Sequence, residues 1–193
     1  MRKTILFMAF VFTGAIIYSC SQNGTAAEPG TNLTKDSLIK RGDYLVNAIG
    51  CNDCHSPKRM GEHGPEPDPA LLLSGHPQNS PIAPVDTTNK GWLLFSPSLT
   101  AAVGPWGVSY AANLTSDPSG IGNWTEQQFF KSIRQGKAKG MDNGRMLLPP
   151  MPWQNFARLT DTDLKSIFYY LKSTKPVQNT VPPPVSPQDM AIK

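Results

Sequence analysis

The chain has 193 residues, and its 18 lysines and arginines against 14 aspartates and glutamates give a formal charge of +4. Loss of Arg2 and Lys3 with a targeting segment would leave about +2, too little positive charge to indicate nucleic-acid binding. The length fits one domain of ordinary size with terminal extensions, so we expect a small protein without internal repeats.

The N-terminus has the pattern of an export signal. Arg2 and Lys3 precede an apolar run from Ile5 to Tyr18. This run is short for a membrane core of ~30 Å, but it has the length of a signal-peptide core. We predict a signal peptide over residues 1–19 and export to the periplasmic side of a bacterial membrane.

Two cleavage sites compete at the end of this signal. Residues 17–20, Ile-Tyr-Ser-Cys, resemble a bacterial lipobox, whereas residues 25–27, Thr-Ala-Ala, resemble an ordinary secretory site. The first site adjoins the apolar run and explains Cys20, which would otherwise be a free thiol in an oxidising compartment. We predict a lipoprotein that is anchored to the membrane through acylated Cys20. The alternative is a soluble periplasmic protein that loses Cys20 with its signal.

Composition divides the remainder of the chain into three parts. Residues 20–37 are small and polar, which predicts a flexible tether. Residues 38–175 predict one domain. Residues 176–193 carry several prolines, which prevent a helix from continuing and favour extended polyproline geometry, so this part is predicted as a Pro-rich C-terminal tail.

The first predicted helix covers residues 36–49. Asp36 is a candidate N-cap and Gly50 provides the C-terminal stop. Its apolar residues, Leu38, Leu45, Ala48 and Ile49, fall on one face. The helix leads directly into a cysteine and histidine motif.

The sequence Cys51-Asn52-Asp53-Cys54-His55 has the Cys-x-x-Cys-His spacing of covalent haem attachment. Two thiols at this spacing can add to the two vinyl groups of one porphyrin, and His55 is placed to bind the iron. A structural zinc site is one alternative, but it needs four ligands and only His63 and His76 could complete it. A thioredoxin-type dithiol is another, but it would follow a strand rather than a helix. We predict one covalent haem c with its iron.

The stretch from residue 56 to 105 contains nine prolines, which predicts a long loop region without long helices or strands. Leu71–Leu73 and Trp92–Phe95 give it apolar surface to bury, so we expect it to pack over the haem edge and limit access of water. We expect His76 to be a surface or structural histidine rather than a ligand.

Two more helices are predicted towards the C-terminus. The second begins at Thr125, which forms a capping box with Gln128, while Trp124 is placed to contact Phe129. The third begins at Thr160 and has the apolar spacing of an amphipathic helix, with acidic residues in its first turn and lysines near its end. Its apolar residues are Leu164, Ile167, Phe168 and Leu171.

A second iron ligand has to come from another part of the chain. The candidates are Met60, His63, His76, Met141, Met146 and Met151. We choose Met151, because the prolines on both sides restrict its backbone and can present the side chain at low entropic cost. A methionine in an arbitrary context is more often an adaptable core residue.

Five motifs together resemble the class I monohaem c-type cytochromes of bacterial respiratory chains, in particular those with Met-Pro-Trp before a last helix that opens Leu-Thr-Asp. The motifs are Gly50–His55, Ala112–Thr115, Gly120–Trp124, Leu148–Trp153 and Leu159–Leu164, and the resemblance covers residues 38–184. It implies a mainly α cytochrome c fold wrapped around one covalent haem, in which residues 56–105 form a long Pro-rich loop insertion. It also implies a close crossing of the first and last helices, which Gly42 would permit against the aromatic residues 168–170.

The resemblance also implies a ligand set: thioethers from Cys51 and Cys54, His55 as the proximal ligand and Met151 as the distal ligand. A thioether opposite an imidazole favours Fe(II) relative to a second imidazole. With both axial positions filled, the iron would have no open site for oxygen or peroxide. The predicted function is therefore one-electron transfer in an exported respiratory or dehydrogenase-linked chain, and the chain is predicted to be an electron carrier rather than an enzyme.

Two alternatives stay open at this point. One is a cytochrome subunit that works only inside a dehydrogenase or oxidase complex, and the other is a haem enzyme or sensor with a labile distal ligand. The partners would be redox proteins that donate and accept electrons. A basic cluster before Met151 is either a solvated face or a docking site for an acidic partner; its members are Lys131, Arg134, Lys137, Lys139 and Arg145.

Overall fold

A computed structural model describes residues 33–84 and 91–190. The predicted signal peptide, Cys20 and most of the predicted tether lie outside the described residues. The helices are α1 (Lys35–Ala48), α2 (Cys51–His55), α3 (Glu126–Gln135), α4 (Trp153–Phe156), α5 (Asp161–Ser173) and α6 (Pro187–Met190). None of the helices in the described ranges has the length and apolar character needed to span a membrane.

The segment between α2 and α3 forms two small antiparallel sheets. The first is a hairpin of β1 (Lys58–Gly61) and β2 (Gly64–Pro67), and the second has the order β3 (Leu94–Phe95), β4 (Ala101–Gly104), β5 (Gly107–Tyr110). The elements within the predicted insertion are thus four residues or shorter. These two sheets were not predicted from the sequence.

The predicted helix boundaries are confirmed with one correction. Asp36 was the predicted N-cap of α1, but the cap is Thr34, whose hydroxyl accepts a hydrogen bond from the backbone N–H of Ser37 at 3.2 Å. Asp36 lies in the first turn, where its negative charge still favours the positive end of the helix dipole. The predicted capping box of Thr125 and Gln128 is present at the start of α3.

The helices α1 and α5 cross in close contact. Gly42 is buried there, and a Cβ at this position would overlap the backbone carbonyl of Ser166 and lie 2.6 Å from Cβ of Tyr170. The predicted contact of Gly42 with the aromatic run is therefore confirmed. A larger side chain would force the two helices apart, and overpacking of this kind costs about 1–3 kcal/mol.

The hydrophobic core extends from this crossing to α3 and to the insertion. Leu73 is 2% exposed, so the insertion contributes to the core as expected. Trp92, in contrast, is 73% exposed, and its neighbours up to Phe95 are also exposed, so this part of the insertion does not bury its apolar surface within the described residues. The core residues are Val46, Leu73, Ile121, Phe129, Leu164, Ile167, Phe168 and Leu171.

The chain after α5 returns to the domain. Asn113 donates from Nδ2 to the backbone carbonyl of Val177 at 2.9 Å, and Val185 pairs with Val108 on β5. Asn179 donates from its side chain to the carbonyls of Ser74 at 2.7 Å and His76 at 2.9 Å. Residues 176–190, predicted as a Pro-rich tail, thus join the segments on both sides of the second sheet.

Candidate haem-binding site

The three residues predicted to attach haem and bind iron lie together on the single turn of α2. This turn begins after Gly50, which has a φ of 77°. A Cβ on Gly50 would lie 2.6 Å from the carboxylate of Asp53, so glycine suits both the backbone conformation and the space. Cys51 and Cys54 are half-buried and form no disulfide, so both thiols are available.

A backbone carbonyl orients the ring of His55. Nδ1 of His55 lies 2.7 Å from the carbonyl oxygen of Ala112. Because a carbonyl only accepts hydrogen bonds, Nδ1 carries the proton and Nε2 keeps its lone pair. A carbonyl partner of this kind fixes the tautomer and orientation of a metal-binding histidine. The ring therefore offers Nε2 for coordination.

The surroundings of His55 favour its neutral form. Burial lowers the pKa of His55, and the charge of Lys58 lowers it further, while the bond to Ala112 acts in the opposite direction. Neutral imidazole is the form that binds metals. No sequence signal could have identified Ala112 as the partner, since a backbone carbonyl is present at every position.

The electrostatics of the two cysteines do not favour a redox-active dithiol. Burial raises the pKa of Cys51 to about 11, with a further contribution from the carboxylate of Asp53. The same two causes raise the pKa of Cys54. A reactive thioredoxin-type cysteine requires the opposite shift, towards the thiolate. The described residues also contain no cluster of three histidine, cysteine or acidic side chains that could form a zinc site.

Met151 is half-buried in a segment that is hydrogen-bonded to β5, the strand that precedes the partner of His55. The hydroxyl of Ser109 on β5 donates to the carbonyl of Pro149 at 2.6 Å. Ala112, which accepts from His55, follows Ser109 by three residues. Three residues span at most about 10 Å, so the segments that carry His55 and Met151 are bound to neighbouring points of the chain.

The other side of the Met151 segment is attached to the end of α3. The N–H of Leu147 donates to the carbonyl of Gly136 at 2.7 Å, and the indole of Trp153 packs against Gly136. Residues 147–153 are therefore held at both ends. The role of Met151 as a ligand stays a prediction.

The other candidate ligands are less suitable. His76 is 1% exposed; its Nδ1 lies 2.9 Å from the hydroxyl of Thr100 and its Nε2 lies 3.1 Å from the carbonyl of Ser80. Both ring nitrogens are thus used, and His76 is a structural histidine. Met60 is 78% exposed on the β1–β2 hairpin, and Met141 and Met146 are each nearly half exposed. His63 lies in the turn of that hairpin.

The basic cluster is partly neutralised by contacts within the domain. Lys131 forms an ion pair with Asp142, and Arg134 pairs with Asp161. Lys137 and Arg145 donate to backbone carbonyls, those of Gly144 and Met146. Docking of an acidic partner on this surface stays a prediction that rests mainly on Lys137, Lys139 and Arg145.

The donor set fits a covalently attached haem. One helical turn supplies two unbridged thiols at the Cys-x-x-Cys sequence spacing of haem attachment and an imidazole with Nε2 free. A methionine sulfur, a known axial ligand of haem iron, is available in a constrained segment near the same strand.

Comparisons with known proteins agree with this chemistry. No family model matches the chain. The chain is 32% identical over 144 residues to the gluconate 2-dehydrogenase cytochrome c subunit of Pantoea cypripedii. The aligned region covers 74% of this chain and 24% of that protein. It is 31% identical to the alcohol dehydrogenase (quinone) cytochrome c subunit of Gluconobacter oxydans, with 76% of this chain and 24% of that protein aligned. It is also 31% identical to the fructose dehydrogenase cytochrome subunit of Gluconobacter japonicus, with 86% of this chain and 27% of that protein aligned.

The chain spans about a quarter of the length of these curated relatives. They are cytochrome subunits of dehydrogenases. The similarity supports the prediction of a c-type cytochrome.

Proposed function

We propose that this chain carries single electrons through one covalently bound haem c. The observation that carries the proposal is the geometry of α2, where Cys51 and Cys54 are unbridged and the contact of His55 with Ala112 leaves Nε2 free. A bound haem supplies an iron that alternates between the ferric and ferrous states. The two thiols of Cys51 and Cys54 would attach the haem, Ala112 would keep the ring of His55 oriented for the iron, and Met151 would supply a second ligand.

The fold that we propose is a cytochrome c fold with an insertion between α2 and α3. Its support is the close crossing of α1 and α5 at Gly42, which places the helix before the haem motif against the last long helix. The insertion provides β3 and β4 of the three-stranded sheet, and β5, which follows the insertion, carries Ser109 and leads to Ala112. In this proposal the insertion forms part of the wall of the haem site.

The proposed partners are a dehydrogenase as electron donor and a second redox protein as acceptor. The names of the relatives support a dehydrogenase-linked role, since the three proteins are cytochrome subunits of gluconate, alcohol and fructose dehydrogenases. This chain would then work as a cytochrome subunit or as a dedicated partner of such an enzyme. Catalysis of substrate oxidation would belong to the dehydrogenase.

The test of the carrier function is a redox titration of the purified mature protein followed by its visible spectrum. We expect a single one-electron transition and no binding of carbon monoxide to the reduced protein, because His55 and Met151 would both bind the iron. Rapid binding of carbon monoxide by the native reduced protein would contradict the carrier and favour a haem enzyme or sensor.

We also propose that the protein is exported and anchored to the membrane through acylated Cys20. The support is the adjacency of the apolar run 5–18 to the lipobox-like residues 17–20. A single acyl chain binds membranes only marginally, whereas several chains on one residue anchor a protein stably. We expect the Cys20→Ala variant to move from the membrane fraction to the soluble fraction, and equal membrane retention of variant and parent would contradict the anchor.

A further inference from the structure

Lys58 makes an unusual set of contacts with the haem-binding turn. Its Nζ donates to three backbone carbonyls, those of Asn52 at 3.0 Å, Asp53 at 2.9 Å and Ser56 at 2.6 Å. The side chain is half-buried, and burial lowers the pKa of Lys58 while the nearby carboxylate of Asp53 raises it. Lys58 forms no ion pair within 4 Å among the described residues. Its ammonium group therefore donates its hydrogen bonds to backbone carbonyls rather than to a carboxylate.

These contacts matter because α2 is only five residues long. The carbonyls at the end of a helix lack partners within the helix, and a single turn is not stable by itself. Lys58 satisfies three of the carbonyls around this end, and the N–H of Gly75 satisfies that of His55 at 2.8 Å. An ammonium is also the charge that the negative end of a helix favours.

We propose that Lys58 is a positioning residue for electron transfer, which fixes α2 in the orientation in which His55 would bind the iron and holds a positive charge against the haem-binding turn. This inference rests on the proposed function. A fixed positive charge interacts less favourably with ferric than with ferrous iron, because ferric iron carries one more positive charge. Lys58 therefore raises the reduction potential as well as supporting the turn.

The test compares three variants of the full-length mature holoprotein. Lys58→Met removes both the charge and the donors, and Lys58→Arg keeps the charge and can still donate to several carbonyls. Lys40→Met is the matched control, because Lys40 is exposed on α1 and donates no hydrogen bond among the described residues. The measurements are the reduction potential by potentiometry and the urea midpoint of unfolding.

We expect Lys58→Met to shift the reduction potential to lower values and to lower the urea midpoint, whereas Lys58→Arg and Lys40→Met stay close to the parent. If Lys58→Met does not accumulate as holoprotein, Lys58→Gln, which is neutral but can still donate, is measured in its place and should show the lower potential. The charge role is overturned if the neutral variant has the parent's potential, or if Lys58→Arg shifts the potential as far as the neutral variant does.

Failure of this inference is distinguishable from failure of the proposed function. A parent protein without covalent haem would overturn the function itself. A parent with haem and a normal one-electron titration, whose potential is insensitive to the charge at position 58, would overturn only the role of Lys58.

Discussion

The Cys51→Ala, Cys54→Ala double variant is expected to lose all covalent haem, whereas the parent is expected to carry one haem per chain. Attachment requires a thiol that adds to each vinyl group, and α2 supplies both thiols from one turn in an unbridged state. Acid–acetone extraction followed by pyridine haemochrome analysis measures this directly. In the parent the haem stays with the precipitated protein, and in the variant any haem passes into the solvent.

The matched control for this variant is Cys20→Ala, because the chain has three cysteines and this one lies outside the motif. We expect Cys20→Ala to keep its covalent haem in full, even when it leaves the membrane fraction. Covalent haem that persists in the double variant would contradict the assignment of Cys51 and Cys54. Loss of haem from Cys20→Ala alone would show that lipidation or export, rather than thioether chemistry, limits maturation.

Local signals in the sequence predicted the elements that deliver the site. Gly50 ends α1 with a positive φ, Thr125 and Gln128 cap α3, and Thr160 caps α5. Each of these depends on residues within a few positions of each other, so the sequence is sufficient. The cap of α1 is the exception: Asp36 and Thr34 are both good N-caps, and the turn begins at the earlier residue.

Contacts between distant segments could not be predicted in the same way. The carbonyl of Ala112 accepts from His55 across 57 positions, and a backbone group leaves no mark in the sequence. Asn113 and Asn179 join the segment after α5 to loops more than 60 positions earlier. Asparagines in Pro-rich and Ser-rich stretches are typical of turns, so their long-range role is hidden.

The second sheet was missed for a different reason. Its strands are two to four residues long, and β4 and β5 are joined through Gly104, Pro105, Trp106 and Gly107. Short strands bounded by glycine and proline have the composition of a loop. This sheet nevertheless determines the site, because β5 and the residues after it hold both the Met151 segment and His55.

The Met151→Ala variant is expected to lose the weak red-region band of sulfur-to-iron charge transfer in the oxidised protein and to have a lower reduction potential. A thioether ligand favours the ferrous state, so its loss removes that preference. Axial ligands set haem potentials over about 0.8 V, and the shift should be a sizeable part of that range. The open position should also allow the reduced variant to bind carbon monoxide.

Two kinds of comparison separate a ligand from a core methionine at position 151. Met141→Ala and Met146→Ala remove methionines that are nearly half exposed and lie within ten residues before Met151 in the sequence. Both variants should keep the parent's charge-transfer band and reduction potential. Met151→His should restore a closed iron that does not bind carbon monoxide, yet keep a low potential, because a second imidazole replaces the thioether. A Met151→Ala variant with an unchanged band and potential would exclude Met151, and loss of the band in Met141→Ala or Met146→Ala would transfer the ligand role to that residue.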